Sequence, residues 1–441
     1  MKRIKWLAAL LFVLSMAIPG PRVLAEEGAG DDSRDFSKFS LLRTIEVPVD
    51  KAKNSFEQLR FFDISWVDAK SQRYYLADRS NAGIDIIDAE DHAFLHRVGG
   101  FAGQAFNANG TPDNDHSGPD GVLVVPEQHQ LWAGDGDSTV KVIDLDTNQI
   151  IDVIHTNGTA RADEMAFDPR HHILAVVNNA DDPPFITLIS TESPRAVLGR
   201  ITFLKNDPTF PFPNEVTGGV EQPAWDPETR RFYVSVPELD HDATKGAVAV
   251  INPLTRKVTK LFKVDDCNPA GLTLGPNQHL LIGCSLQNGQ SLVISARDGH
   301  VVKRIFGVGG SDEVWFNPGD DHYFLAARNN VSLNPDGTVK LVNGKPVVVP
   351  VLGVVDAKTN ELVATAFTGS AIFTTPAGIG GSPHSVAVNP VNNHAFVPLP
   401  PTKLPDGTIP CPNGCVAVYG IPEDQDHHEG SNGDHGDDKD R

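Results

Sequence analysis

Cysteine is scarce in this chain, and the common signatures of membrane, haem and hydrolase proteins are missing from it. Only four of the 441 residues are cysteines, and none sits in a Cys-x-x-Cys-His sequence, which excludes c-type haem attachment. Past Ile18 no stretch approaches the roughly 18 uninterrupted apolar residues of a membrane helix, so no later segment is expected to span a bilayer. Basic residues are outnumbered, 37 Lys and Arg against 57 Asp and Glu, for a net charge of −20. Such a chain repels nucleic acid and anionic membranes, so neither is expected as a partner; cationic ligands or metal ions suit it better. There is no G-x-S-x-G nucleophile elbow and no H-E-x-x-H zinc helix. Helical periodicity is almost absent as well.

The first 25 residues read as a secretory leader. Lys2, Arg3 and Lys5 are its basic region, Trp6 to Ile18 its apolar run, and Val23, Leu24 and Ala25 predict cleavage before Glu26. Removing four basic residues with the leader takes the net charge to about −24. The mature protein is expected to be periplasmic or secreted, and monomeric. In that oxidising setting the even cysteine count predicts disulfides within two local pairs, with metal binding or free thiols as alternatives. Cys267 and Cys284 flank one predicted hairpin, and Cys411 and Cys415 bracket Pro-Asn-Gly. Residues 26–38 are expected to be flexible. The tail, 423–441, has no apolar residue and is expected to be disordered. Its His427, His428 and His435 are either a weak transition-metal site or part of a solvated acidic tail.

Between these ends one unit recurs: a small or acidic residue, an apolar strand, Pro, a polar turn and a second apolar strand. It reads DISWVDAKSQRYYLAD from Asp63, DGVLVVPEQHQLWAGD from Asp120 and DEMAFDPRHHILAVVN from Asp163. It returns as EQPAWDPETRRFYVSV from Glu221, AGLTLGPNQHLLIGCS from Ala270, DEVWFNPGDDHYFLAA from Asp312 and HSVAVNPVNNHAFVPL from His384. A third and a fourth strand follow each unit, as in TVKVID and QIIDVI, except that the seventh lacks a fourth. Four short strands at even spacing describe one propeller blade. The unplaced strand SLLRTIEVP, residues 40–48, is expected to complete blade seven and remove the open sheet edge. The fold class is therefore all-β, a seven-bladed β-propeller over residues 39–422 with its N-terminal strand closing the last blade.

GPDG (118–121) with TVKVIDLDTNQIIDVI, SPHS (382–385) with SVAVNP, and NPAG (268–271) carry a family likeness. They resemble the YVTN-type repeats of YncE-like propellers over about residues 40–422. The resemblance implies the fold and leaves function open, since such propellers serve as binding modules, surface proteins and lactonase-like enzymes. Blades one, three, four and six have acidic residues in place of the Gly-rich opening, and no catalytic set carries over by residue match. Trp225-Asp226 looks like a WD dipeptide but ends a first strand rather than a third.

In a propeller the starts of the innermost strands converge on the channel mouth, together with the loops between second and third strands. The residues six before the turn Pro, in blade order, are Asp63, Asp120, Asp163, Glu221, Ala270, Asp312 and His384; Glu164 and Glu313 follow two of them. Like charges crowded around a channel raise pKa values or attract a cation. Asp63, Asp120, Asp163, Glu164, Glu221, Asp312 and Glu313 are thus candidate ligands for a hard cation such as Ca²⁺. The second loop set offers ligand-binding candidates: Asp78, Arg79, Asp135, Asp137, Asn178, Asn179, Glu238, Arg328 and Asn329. Arg79 and Arg328 would otherwise neutralise the ring by salt bridges.

A second candidate cation site is GTPDNDHSGPDG (110–121), where Asp113, Asp115, Ser117 and Gly118 match the opening of a Ca²⁺ loop. Val124 at the twelfth position excludes an EF-hand, leaving a non-helical Ca²⁺ loop or an ordinary polar turn. The glycines of GIGGSPHS (378–385) lack the strand-to-helix context of a dinucleotide site. Asp88, Asp144 and Asp356 read as turn caps. Trp66, Trp132, Trp225 and Trp315 read as inter-blade packing. His384 and His116 are the candidate bases, if they are not structural partners. The function expected first is an exported, non-catalytic propeller that presents an acidic mouth, with or without a bound metal ion, to a small molecule or protein. The alternative is a Ca²⁺-dependent lactonase-like hydrolase, its ion held by Asp63, Asp163, Glu221 and Asp312.

Overall fold

The inner strands of the repeat are near-continuous apolar runs, such as VLVV (122–125) and ILAVVN (173–178), so each short sheet has two faces to bury, and a ring of stacked sheets buries both. The computed structural model describes residues 34–370 and 383–422. It is a seven-bladed β-propeller of four-stranded antiparallel blades. The first strands, in blade order, are Ser65–Asp68, Val122–Val125, Met165–Asp168, Pro223–Asp226, Pro269–Gly275, Val314–Asn317 and Ala387–Asn389. The fourth strand of blade seven is the N-terminal Ser40–Ile45, antiparallel to Cys415–Gly420 with Ser40 opposite Gly420 and Ile45 opposite Val416. The leader, residues 26–33 and the tail lie outside the described residues. Residues 36–38, expected to be flexible, form a 3-10 turn whose Phe36 ring lies 4.2 Å from that of His322 in blade six.

The blades are alike in detail. The pairing of third with fourth strand slips by one residue in all seven, between Ile86 and Ile87 in blade one and at equivalent places in the others. Such bulges increase the right-handed twist that splays each blade outward from the axis. Asp88, Asp144 and Asp356 each take backbone N–H groups of the turn that follows, for example Thr147 on Asp144 at 2.8 Å. Separate apolar clusters fill the spaces between blades, so the core is distributed around the ring.

Two of the insertions into the repeat form two-stranded sheets of their own. Gly103–Phe106 pairs with Pro112–Gly118 as a hairpin between blades one and two, and a longer excursion separates the second and third strands of blade six. The D-x-D-x-S-G segment is therefore the second arm of a hairpin rather than an ordinary polar turn. Both expected disulfides are present. Cys267–Cys284 ties the lead-in of blade five to its second strand, and Cys411–Cys415 closes a loop in blade seven. No helix among the described residues is long and apolar enough to cross a membrane.

Candidate functional site

Seven inner strands meeting at an axis leave little room, and the residues at their starts decide what fills it. Glycine at 121 and 271 lets neighbouring backbones approach closely: a Cβ there would lie 2.2 Å from the Asp163 carbonyl oxygen and 2.3 Å from that of Asp312. At the mouth, Asp63, Asp120 and Asp163 bring carboxylate oxygens within 4.8 Å of one another, all three buried. Among the described residues no other His, Cys, Asp or Glu group of three or more is as tight. Glu164, Glu221, Asp312 and Glu313 stand outside it.

Two guanidiniums occupy this layer. Arg79 bridges Asp63 and Asp120, its Nε donating to Asp120 Oδ1 at 2.9 Å. Arg161 donates from Nε to Asp163 Oδ2 at 2.6 Å. His384 Nε2 lies 2.8 Å from the other Asp63 oxygen, and Phe62 stacks on its ring. Burial alone would raise Asp63, but Arg79 and His384 hold it well below the usual carboxylate range. Burial, then the neighbouring aspartates, push Asp120 well above that range, and burial raises Asp163. The layer is a nearly self-neutralised plug. Of the three carboxylates, Asp120 keeps a buried oxygen, Oδ2, without a hydrogen-bond partner, while both Asp63 oxygens are already engaged, by Arg79 and His384.

Below the plug, one residue along each strand, lies a second polar level. Gln222 donates its amide to Glu313 Oε2 at 2.9 Å. Glu164 faces Glu313; burial and that neighbour push it well above the ordinary glutamate range, and burial does the same to Glu313. Glu164, Gln222 and Glu313 cap a chamber of about 590 Å³ that reaches the exposed turn prolines Pro126, Pro169 and Pro318. Its walls are apolar and include Trp66, Phe167, Trp225, Trp315 and Phe316. Trp132 is fully buried between blades, whereas the other three tryptophans expected there also present a surface to the chamber. The roomy part of the channel is thus at the end away from the expected ligand face.

The remaining candidates scatter. Arg328 pairs with Asp312 at 2.8 Å, and Glu221 stands beside Asp312 and Asn179. Asn178 supports the layer indirectly, donating to the Arg161 carbonyl at 3.1 Å. Asp78 and Asp135 are buried within their blades, the first holding Asn81 and Arg97, the second Lys141 and the Ala102 and Gly136 N–H groups. Asp137 caps Thr139, Glu238 accepts from Thr217, and the Asn329 backbone N–H donates to Gly310. His116 is exposed and pairs with Asp113 at 2.9 Å, while Asp115 lies 3.8 Å from Arg161. Arg161 and Gln222 were not singled out from sequence. Gln222 has a readable signal, because it holds the same repeat position as Glu164 and Glu313.

No family model matches this chain, and no curated protein does. Its chemistry must be read from its own residues.

Arg79 neutralises buried aspartates, so Arg79→Gln should cost about 3–5 kcal/mol, with part recovered when Asp120→Asn is added. Urea unfolding of the two variants checks this; a loss under about 1 kcal/mol would show that the aspartates do not depend on Arg79. Glu221 gives a pH test. Burial, then the charges of Asp312 and Asp163, raise it to about 8. Glutamate in an unfolded chain titrates near ~4.3, so between that value and about pH 8 the folded state binds more protons and stability falls as pH rises. One proton sets a limit of ~1.4 kcal/mol per pH unit. Glu221→Gln should flatten the decline, and identical slopes in both proteins would remove Glu221 as its source.

Proposed function

We propose that this chain is an exported, non-catalytic binding propeller that holds a small molecule in its central chamber. The observation that carries this reading is the cavity itself: about 590 Å³ on the axis, apolar on its walls and polar at its buried end. Cavities of roughly 300–1,000 Å³ with apolar walls and few polar groups are the usual form of small-molecule sites. Hydrolysis has less support. The His384 Nε2 is engaged by Asp63, His116 is exposed on the hairpin, and neither lines the chamber.

A second reading keeps a divalent cation at the mouth, favoured by the 4.8 Å grouping of Asp63, Asp120 and Asp163. Metal content by mass spectrometry, on protein purified without chelator and lacking residues 423–441, tests it. One Ca²⁺ per chain, lost in Asp163→Ala, supports the cation; metal-free protein rejects it.

For the chamber, dansyl amide is a suitable neutral aromatic probe. It should bind at one site with a blue-shifted emission. Ala224→Phe, which fills part of the cavity, should weaken it at least tenfold while melting within a few degrees of the parent. Equal binding to a folded Ala224→Phe protein would place the probe elsewhere and count against the chamber.

A further inference from the structure

The titratable side chains around the chamber are all acids. Its lining includes Glu127, Glu164 and Glu313 and, among the described residues, no lysine, arginine or histidine. Arg79 and Arg161 lie in the plug above, each already engaged by aspartates. Gln222 has nothing left to give. Its carbonyl accepts the backbone N–H groups of Leu272 at 2.7 Å and Val314 at 3.3 Å. Its amide donates to Glu313 Oε2 and to the Val314 carbonyl at 3.2 Å. Glu164, 7 % exposed, is left with a buried Oε2 that has no hydrogen-bond partner. A buried acceptor without a donor is destabilising, and more so when charged, so a group that supplies the donor recovers that loss.

The walls narrow the choice of donor. Trp66, Trp225, Trp315, Phe167 and Phe316 offer area to an apolar body and π faces to a positive charge. An anion finds no cationic side chain in this lining to pair with, and a hydrated metal ion gains nothing from aromatic walls. A neutral alcohol would satisfy the acceptor but, unlike a cation, would not draw the Glu164–Glu313 pair, held toward its protonated form by burial, into its ionised state. A quaternary ammonium would match the charge but bring no N–H.

We propose, building on the chamber as the ligand site, that its ligand is an organic ammonium: an apolar or aromatic body bearing a primary or secondary amine whose N–H donates to Glu164. The apolar body lies against the tryptophans, and the amine sits at the buried end beneath the plug.

Two fluorescent probes test this on the full-length mature protein: dansylcadaverine, which ends in a primary ammonium, and the same dansyl chain ending in a hydroxyl. The ammonium should bind at least tenfold more tightly. Glu164→Gln should bring it down to the hydroxyl compound while leaving the latter within about threefold of its parent value. Glu313→Gln serves as a second variant, should Glu164→Gln not fold, and should also reduce the ammonium's advantage. Equal affinity of the two probes for the parent, or an advantage that survives a folded Glu164→Gln, overturns the ammonium assignment and leaves the chamber reading standing. If neither probe, nor dansyl amide, binds the parent, the chamber reading falls with it.

Discussion

Pairing between Ser40–Ile45 and Cys415–Gly420 is the interaction on which everything else in the molecule depends. Without it, the outer edge of blade seven would be unsatisfied and the ring would have no closure between blades seven and one. The axis exists only because the ring is closed. Ser65 of blade one and Ser385 of blade seven bond across that junction at 2.9 Å, and Asp63 meets His384 there at 2.8 Å. Residues more than 300 positions apart share a site because a six-residue strand returns to the end of the chain.

Closure then creates an electrostatic problem. Equivalent positions in the repeat are brought to one place, so acids that are tolerable on separate blades become neighbours in a medium of low polarity. Two solutions operate at successive levels. At the mouth, Arg79 and Arg161 pair with the aspartates and the layer becomes a plug. One residue further in, no cation is supplied; Gln222 and shared protons do the work, and Glu164 keeps an unmet acceptor. Levels so close in sequence differ because Arg79 and Arg161 come from loops that reach only the first.

Much of this was legible in the sequence, and the part that was not has a physical cause. The turn prolines and the alternating strands disclosed the blades, and the missing fourth strand in blade seven disclosed the closure. The acidic position six before the turn Pro placed Asp63, Asp120 and Asp163 at the axis. Asp78, Asp135 and Glu238, expected beside them, are instead satisfied locally by Arg97, Lys141 and Thr217. Sequence position alone did not say which way those side chains turn. The chamber was hidden for a related reason. Ala166, Ala224 and Thr273 leave space that only opposing blades define, and Trp66 and Trp315, far apart in sequence, meet edge to face with ring centroids 5.0 Å apart.

The register of the closing strand also determines how the ring would respond to tension. Ser40 lies opposite Gly420, so the chain enters and leaves blade seven at the same end of the same strand pair. A load applied through the two ends would bear on that first pair and part the strands one rung at a time, as a zipper opens. Strands pulled from opposite ends would share the load among all their hydrogen bonds at once. The ring is therefore mechanically weakest along the seam by which it is closed, and a pull on its ends would release blade seven before any other blade.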